Sequence, residues 1–133
     1  MNDRLFAYGT LRRDIRHSRF SLLLEAATRA VAPARMRGRL FDLGWYPGFV
    51  PAYQSGSWVY GEIHTLNDPE ETLARVDEYE GCSPDNPRPH EFERVEMDAE
   101  LEDGTHVPAW VYVYKGEVEG KPEVKSGDYK PAR

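Results

Sequence analysis

Val76-Asp77-Glu78-Tyr79-Glu80-Gly81 reads as the closing turn of a helix. Leu73, Val76 and Glu80 fall at i, i+3 and i+7, and at about 100° per residue they share one face. Leu73 and Val76 mark that face as the one turned to the core, so Glu80 is predicted to point inward with them. Glu78, about 200° from Val76, is predicted to face water. Gly81 suits the left-handed stop of a helix. A carboxylate turned toward an apolar interior carries a costly charge, and its pKa rises. That is one way to obtain a general base near neutral pH. From this stretch alone, a solvated or salt-bridged glutamate at a helix end is the alternative.

Upstream, Asp68-Pro69-Glu70-Glu71 predicts where the helix starts: Asp68 as N-cap, Pro69 in the first helical position, and Glu71 spaced as in a capping box. Downstream, Cys82 to Pro89 is a loop with three prolines. A strand is expected over Phe92–Leu101, with Val95, Met97, Ala99 and Leu101 on one face and Phe92, Arg94, Glu96, Asp98 and Glu100 on the other. Asp103-Gly104 signals a hairpin into a second strand over Val107–Tyr114. Residues 116–133 are glycine- and charge-rich and are expected to form a partly ordered tail of a single domain spanning 1–133.

Before the helix, Leu5–Tyr8 reads as a short first strand interrupted by Gly9-Thr10. A helix near Ser18–Ala27 follows, with Ser18 as N-cap and Phe20, Leu23, Leu24 and Ala27 as its buried stripe. Met36–Leu43 alternates as a strand. Gly44 to Gly48 is a loop holding Trp45 and Tyr46; it can wall a small-molecule pocket or simply cover a sheet end. Phe49–Tyr53 is a short strand with an edge proline. In the strand Trp58–His64, Gly61 points to a bulge or a close approach of backbone.

A chain of 133 residues with 40% apolar and 30% charged residues fits one globular domain that needs no staples. No run approaches the length of a membrane span. Met1-Asn2-Asp3-Arg4 leads straight into an apolar strand, without the pattern of a secretory leader. One cysteine, Cys82, precludes an internal disulfide and fits a reducing, cytoplasmic setting. The net charge of −6 argues against wholesale nucleic-acid binding. The first forty residues nevertheless hold nine arginines against three acids. That basic third could attract an anionic substrate group; Arg12, Arg13, Arg16 and Arg19 as a solvated face is the alternative.

His17, His64, His90 and His106 show no metal-ligand spacing, and no metal is expected. A serine flanked by glycines in a nucleophile elbow is absent. Cys82 reads as a spare thiol. Tyr8-Gly9-Thr10 matches neither a dinucleotide fingerprint nor a phosphate loop, so no organic cofactor is implied.

The strand-turn at Tyr8-Gly9-Thr10-Leu11 and the inward Glu80, with their surroundings, resemble the γ-glutamylcyclotransferase-like family over most of residues 4–129. The resemblance is carried by five pieces in order: Tyr8-Gly9-Thr10-Leu11; Gly38-Arg39-Leu40-Phe41-Asp42-Leu43-Gly44-Trp45-Tyr46-Pro47; Val59-Tyr60-Gly61-Glu62; Asp77-Glu78-Tyr79-Glu80-Gly81; and Phe92-Glu93-Arg94. It implies an α+β fold, a small mixed β-barrel flanked by short helices. It implies Glu80 as catalytic acid/base and substrate contacts from Tyr8, Gly9, Thr10, Leu11, Tyr46, Arg94 and Tyr129. The implied reaction turns a γ-glutamyl amine or peptide into 5-oxoproline and a free amine, without metal or cofactor. The threonine in the first loop is closer to the γ-glutamylamine branch. The implied partner is this small-molecule substrate; monomer and homodimer both stay open.

Two departures stand out. Ser83–Pro89 looks like an insertion that could reshape the pocket, and Tyr129 stands where many relatives carry tryptophan. A non-catalytic binding module on the same barrel, an interaction scaffold, and an amidohydrolase releasing glutamate are the competing readings.

Overall fold

A computed structural model of the chain describes residues 1–8, 19–44, 46–52 and 56–129, with backbone alone for 19–21. The elements in order are β1 (Arg4–Ala7), α1 (Arg19–Ala27), β2 (Thr28–Asp42), β3 (Pro47–Pro51), β4 (Trp58–Leu66), α2 (Pro69–Glu80), β5 (Phe92–Leu101) and β6 (His106–Tyr114). β1 pairs with β4, β4 with β2, β2 with β5, β5 with β6, and β6 returns to β1. The ring therefore closes with five strands. β3 lies between β2 and β6, antiparallel to the first and parallel to the second. The β1–β6 pairing is also parallel, so the barrel is mixed. Closure leaves few free strand edges.

Alternation along β1 divides the core in two. Phe6 and Tyr8 enter the barrel with Met36, Leu40, Phe49, Val59, Met97 and Val111. Leu5 and Ala7 face outward, where Leu24 of α1 and Leu73 and Val76 of α2 cover them. Burying side chains such as Leu73 and Val76 contributes roughly 1.5–3 kcal/mol each, which fixes the inner face of α2. Gly61 is the close approach expected in β4: a Cβ there would collide with the Ala7 carbonyl oxygen. The irregularity in the β2–β4 ladder lies at Thr28/Ala30 instead.

Several strand boundaries differ from the sequence reading. β2 begins at Thr28, directly after α1, and not at Met36. Its first half, Thr28–Arg35, is small, basic and proline-bearing, with weak strand propensity; long-range pairing to β4 supplies what local preference lacks. β3 starts at Pro47, two residues earlier than Phe49, because Pro47 and Gly48 pair with Asp42 and Phe41. Tyr53, its expected end, lies outside the described residues, as does Ser18, the expected cap of α1. Within α1, Leu24 is fully buried, but Leu22 is half exposed.

The β5–β6 hairpin forms where Asp103-Gly104 predicted it. Gly104 adopts φ +87°, its N–H donates to the Leu101 carbonyl, and Leu101 N–H donates to the Thr105 carbonyl. Beyond β6 the chain runs back along the barrel. Asp42 N–H donates to Pro122, Val124 N–H to Leu40 and Tyr60 N–H to Gly127, and Tyr129 is buried in the barrel interior.

Candidate active site

α2 carries the central carboxylate, and both of its ends are defined by hydrogen bonds. The Asp68 side chain accepts from Glu71 N–H at 3.2 Å. The Glu71 carboxylate turns to Arg75 rather than back to Asp68. At the other end Gly81 sits in the left-handed region at φ 76°, ψ 25°. Cys82 N–H donates to the Asp77 carbonyl at 2.9 Å and Gly81 N–H to that of Glu78 at 3.2 Å. This is the paired main-chain closure of a Schellman motif, and Glu80 is the last residue inside it.

Leu73 and Val76 are buried and Glu78 is exposed, so the rotational setting of α2 is the one its spacing predicted. Glu80 keeps some solvent contact, yet protein crowds it closely. Burial, then the charges of Glu91 and Asp77, push its pKa up to about 7. Among the described residues no side chain hydrogen-bonds or ion-pairs with it.

Tyr8 stands across from Glu80 at the end of β1. Its hydroxyl donates to the Tyr112 carbonyl at 2.5 Å and accepts Phe49 N–H at 3.3 Å. Burial and the nearby Glu80 charge hold Tyr8 well above the usual phenol range, so it stays neutral. Gly9, Thr10 and Leu11 lie outside the described residues, as do Arg12, Arg13 and Arg16. Tyr46 forms a second wall: its hydroxyl donates to the Glu91 carboxylate at 2.8 Å, and its ring meets Phe92. Burial first, then Glu91, raise the Tyr46 pKa to about 12, and Glu80 adds to the shift.

Arg94 reaches this region through Asp77. Its Nε donates to Asp77 Oδ1 at 2.7 Å and its Nη2 to Oδ2 at 3.0 Å, while its guanidinium lies over Trp110. Tyr112 adds a third donor to Asp77 at 2.6 Å. Tyr129 belongs to the interior cluster that also holds Tyr8, and Asp42 is its charged neighbour. Cys82 is partly buried, and burial with Asp77 and Glu80 raises its thiol to about 11, which keeps it from acting as a nucleophile. Arg29, Arg35 and Arg39 pair with Asp3, Glu100 and Glu123. The described arginines of the first forty residues thus largely serve ion pairs.

The sequence reading singled out none of Glu91, Tyr112 or Asp77 as site residues. Asp77 precedes Glu80 by three positions, so helical spacing alone puts both carboxylates on neighbouring ground. Glu91 and Tyr112 arrive through tertiary pairing and leave no such local mark. The segment between Gly81 and β5 turns at Ser83–Asn86, where Asn86 Oδ1 accepts from Ser83 N–H, and it delivers Glu91 to Tyr46.

The family profile described as gamma-glutamyl cyclotransferase, AIG2-like, matches residues 5–131. The chain belongs to that family. Within it, a relative from Vibrio cholerae is 31% identical over 129 residues, covering 97% of this chain and 96% of its own length. The gamma-L-glutamyl-butirosin B gamma-glutamyl cyclotransferase of Niallia circulans is 35% identical over 111 residues, covering 83% of this chain and 65% of its own. Among solved structures, protein ytfP from Escherichia coli superposes with a TM-score of 0.65 at 28% identity, covering 95% of each chain. YkqA from Bacillus subtilis gives 0.69 at 25% identity, and the present chain spans 97% of itself but 40% of YkqA. An AIG2-like protein from Mus musculus gives 0.68 at 22% identity, over 96% of this chain and 88% of its own, a likeness of fold. The barrel flanked by short helices is the fold that the resemblance implied.

Proposed function

We propose that this chain is a γ-glutamylcyclotransferase that closes the glutamyl part of a γ-glutamyl amine or peptide into 5-oxoproline and releases the amine. The observation that carries this reading is Glu80: a carboxylate set by a glycine-closed helix end beside Tyr8, with its pKa at about 7. Glu80 takes a proton from the substrate's α-ammonium. The amine then attacks its own γ-carbonyl carbon, the new C–N bond closes the five-membered ring, and the old amide C–N bond breaks. The proton held by Glu80 passes to the leaving nitrogen, and the second proton shed by the attacking nitrogen is taken up by the departing amine, which leaves as an ammonium. With an α-ammonium near pKa ~8, the uphill transfer to Glu80 at about 7 costs about 1.4 kcal/mol, against roughly 5 for an ordinary glutamate. Ring closure is intramolecular, and well-oriented cases remove about 7–11 kcal/mol of barrier. In this reading Gly9 to Leu11 hold the glutamyl group and the developing oxyanion through backbone N–H groups, and Tyr46 and Tyr129 line the pocket. Arg94, already engaged by Asp77, serves by fixing the end of α2.

The substrate panel is γ-glutamyl-ε-lysine, γ-glutamyl dipeptides and gamma-L-glutamyl-butirosin B, the last suggested by the name of the Niallia circulans relative. The expected outcome is 5-oxoproline from at least one member with the wild type and none with Glu80→Gln, which keeps shape and removes the base. Equal turnover by the two proteins would take Glu80 out of the mechanism. Release of free glutamate in place of 5-oxoproline would make the chain an amidohydrolase.

A further inference from the structure

Tyr112 touches both the end of α2 and Tyr8. Its hydroxyl donates to Asp77 Oδ1 at 2.6 Å, and its backbone carbonyl accepts the Tyr8 hydroxyl at 2.5 Å. Asp77 lies one turn before Glu80, and its own carbonyl receives the Cys82 N–H that closes the helix. Tyr8 directly follows β1 and belongs to the barrel-interior cluster. We propose that Tyr112 is a positioning residue for the cyclisation, a strut on β6 that sets the spacing between the Glu80 carboxylate and Tyr8. This deepens the cyclotransferase reading and rests on it.

The strut is anchored in a rigid place. Tyr112 is 3% exposed and lies in the closed ring, directly opposite Arg94 in the β5–β6 register. Arg94 and Tyr112 therefore grip the same carboxylate from adjacent strands. Arg94 and Tyr112 hold Asp77 through three donors, so the end of α2 cannot roll or slide without breaking at least one. Neither phenol has a proton to offer the substrate. Tyr8 commits its proton to the Tyr112 carbonyl and Tyr112 commits its own to Asp77, and burial holds both far above the usual phenol range. Their contribution is geometric. A misplacement of about 1 Å at a reacting pair can cost about a hundredfold in rate.

The experiment compares wild type, Tyr112→Phe, Tyr8→Phe and Glu80→Gln. 5-Oxoproline is scored from γ-glutamyl-ε-lysine at 25 °C, with thermal unfolding followed in parallel. A second readout titrates Glu80 by carboxyl 13C NMR. The ionisable groups facing Glu80 are Tyr8, Tyr46, Asp77, Cys82 and Glu91; the Tyr112 substitution replaces none of them and removes one hydrogen bond, that to Asp77. Folded Tyr112→Phe is expected to lose about ten- to a hundredfold in kcat with KM within about threefold. Its Glu80 titration is expected to move from about 7 toward the ordinary glutamate range as the helix end relaxes into solvent. Tyr8→Phe cuts the other arm without touching Asp77, and the same loss of kcat is expected from it if Tyr112→Phe does not fold. Wild-type kcat in a folded variant whose melting temperature has dropped would overturn the proposal, leaving Tyr112 a stability residue. If the wild type makes no 5-oxoproline from this substrate or the wider panel, the cyclotransferase reading fails instead. The NMR titration then decides alone: an unmoved Glu80 in Tyr112→Phe overturns the strut.

Discussion

Asp77 and Glu80 stand one turn apart on α2; Asp77 is clamped by Arg94 and Tyr112, and Glu80 has no hydrogen-bond or ion-pair partner among the described residues. Two carboxylates on one helix end thus occupy opposite environments. One is saturated with donors and ties the helix to the barrel. The other is crowded and has no donor among the described residues. Separation of this kind assigns roles to paired acids.

In the proposed mechanism the pH dependence of turnover follows from Glu80. Its base form dominates only above about 7, so kcat/KM for a γ-glutamyl substrate is expected to fall below that value, approaching tenfold per pH unit. A profile measured from pH 5 to 9 checks this. A flat acid limb down to pH 5 would mean that an ordinary, solvated carboxylate or another group carries the proton.

Stability carries the opposite sign. Glu80 binds its proton more tightly folded than unfolded, so its contribution is most favourable below the unfolded value of 4.5 and declines as pH rises through about 7. The span corresponds to roughly 3 kcal/mol. Glu80→Gln is therefore expected to raise the melting temperature at pH 8 while changing little at pH 4.5. Calorimetry at the two pH values tests it; a lower melting temperature at pH 8 would contradict the burial argument.

Glu91 is the largest charge acting on Glu80 after burial itself. Glu91→Gln is expected to move the acid limb of kcat/KM downward by about half a unit, a modest shift because Glu91 lies at the exposed rim. Adding 0.5 M salt should move the wild-type limb the same way and leave that of the variant nearly still. An upward movement in Glu91→Gln would exclude charge repulsion as its influence.

Gly81 occupies a left-handed conformation at φ 76°. A Cβ added there would meet open space, so Gly81→Ala meets only backbone strain. A loss of about 1 kcal/mol is expected from urea unfolding. Because the turn also sets Glu80, kcat is expected to drop further than that loss of stability alone would produce.

Much of this architecture could be read along the chain. The caps of α2, the inward setting of Glu80 and the β5–β6 hairpin all rest on contacts within a few residues, and local patterns report such contacts well. Thr28–Arg35 gave no comparable sign, since an alanine- and arginine-rich run becomes a strand only because β4 and β5 lie beside it. Glu91 and Tyr112 escaped for the same reason: their meaning depends on Tyr46, Asp77 and Tyr8, which lie tens of positions away. The family motifs reached Asp77, Glu80 and Arg94 as letters, without saying that two of the three bind each other.

The glycine turn that ends α2 is built wholly from main-chain atoms, while Glu78 and Tyr79 project outward beside it. Variation at those two positions can therefore reshape what an incoming molecule meets at the rim while leaving the buried machinery in register. Directed evolution toward bulkier leaving groups would do well to begin its libraries there.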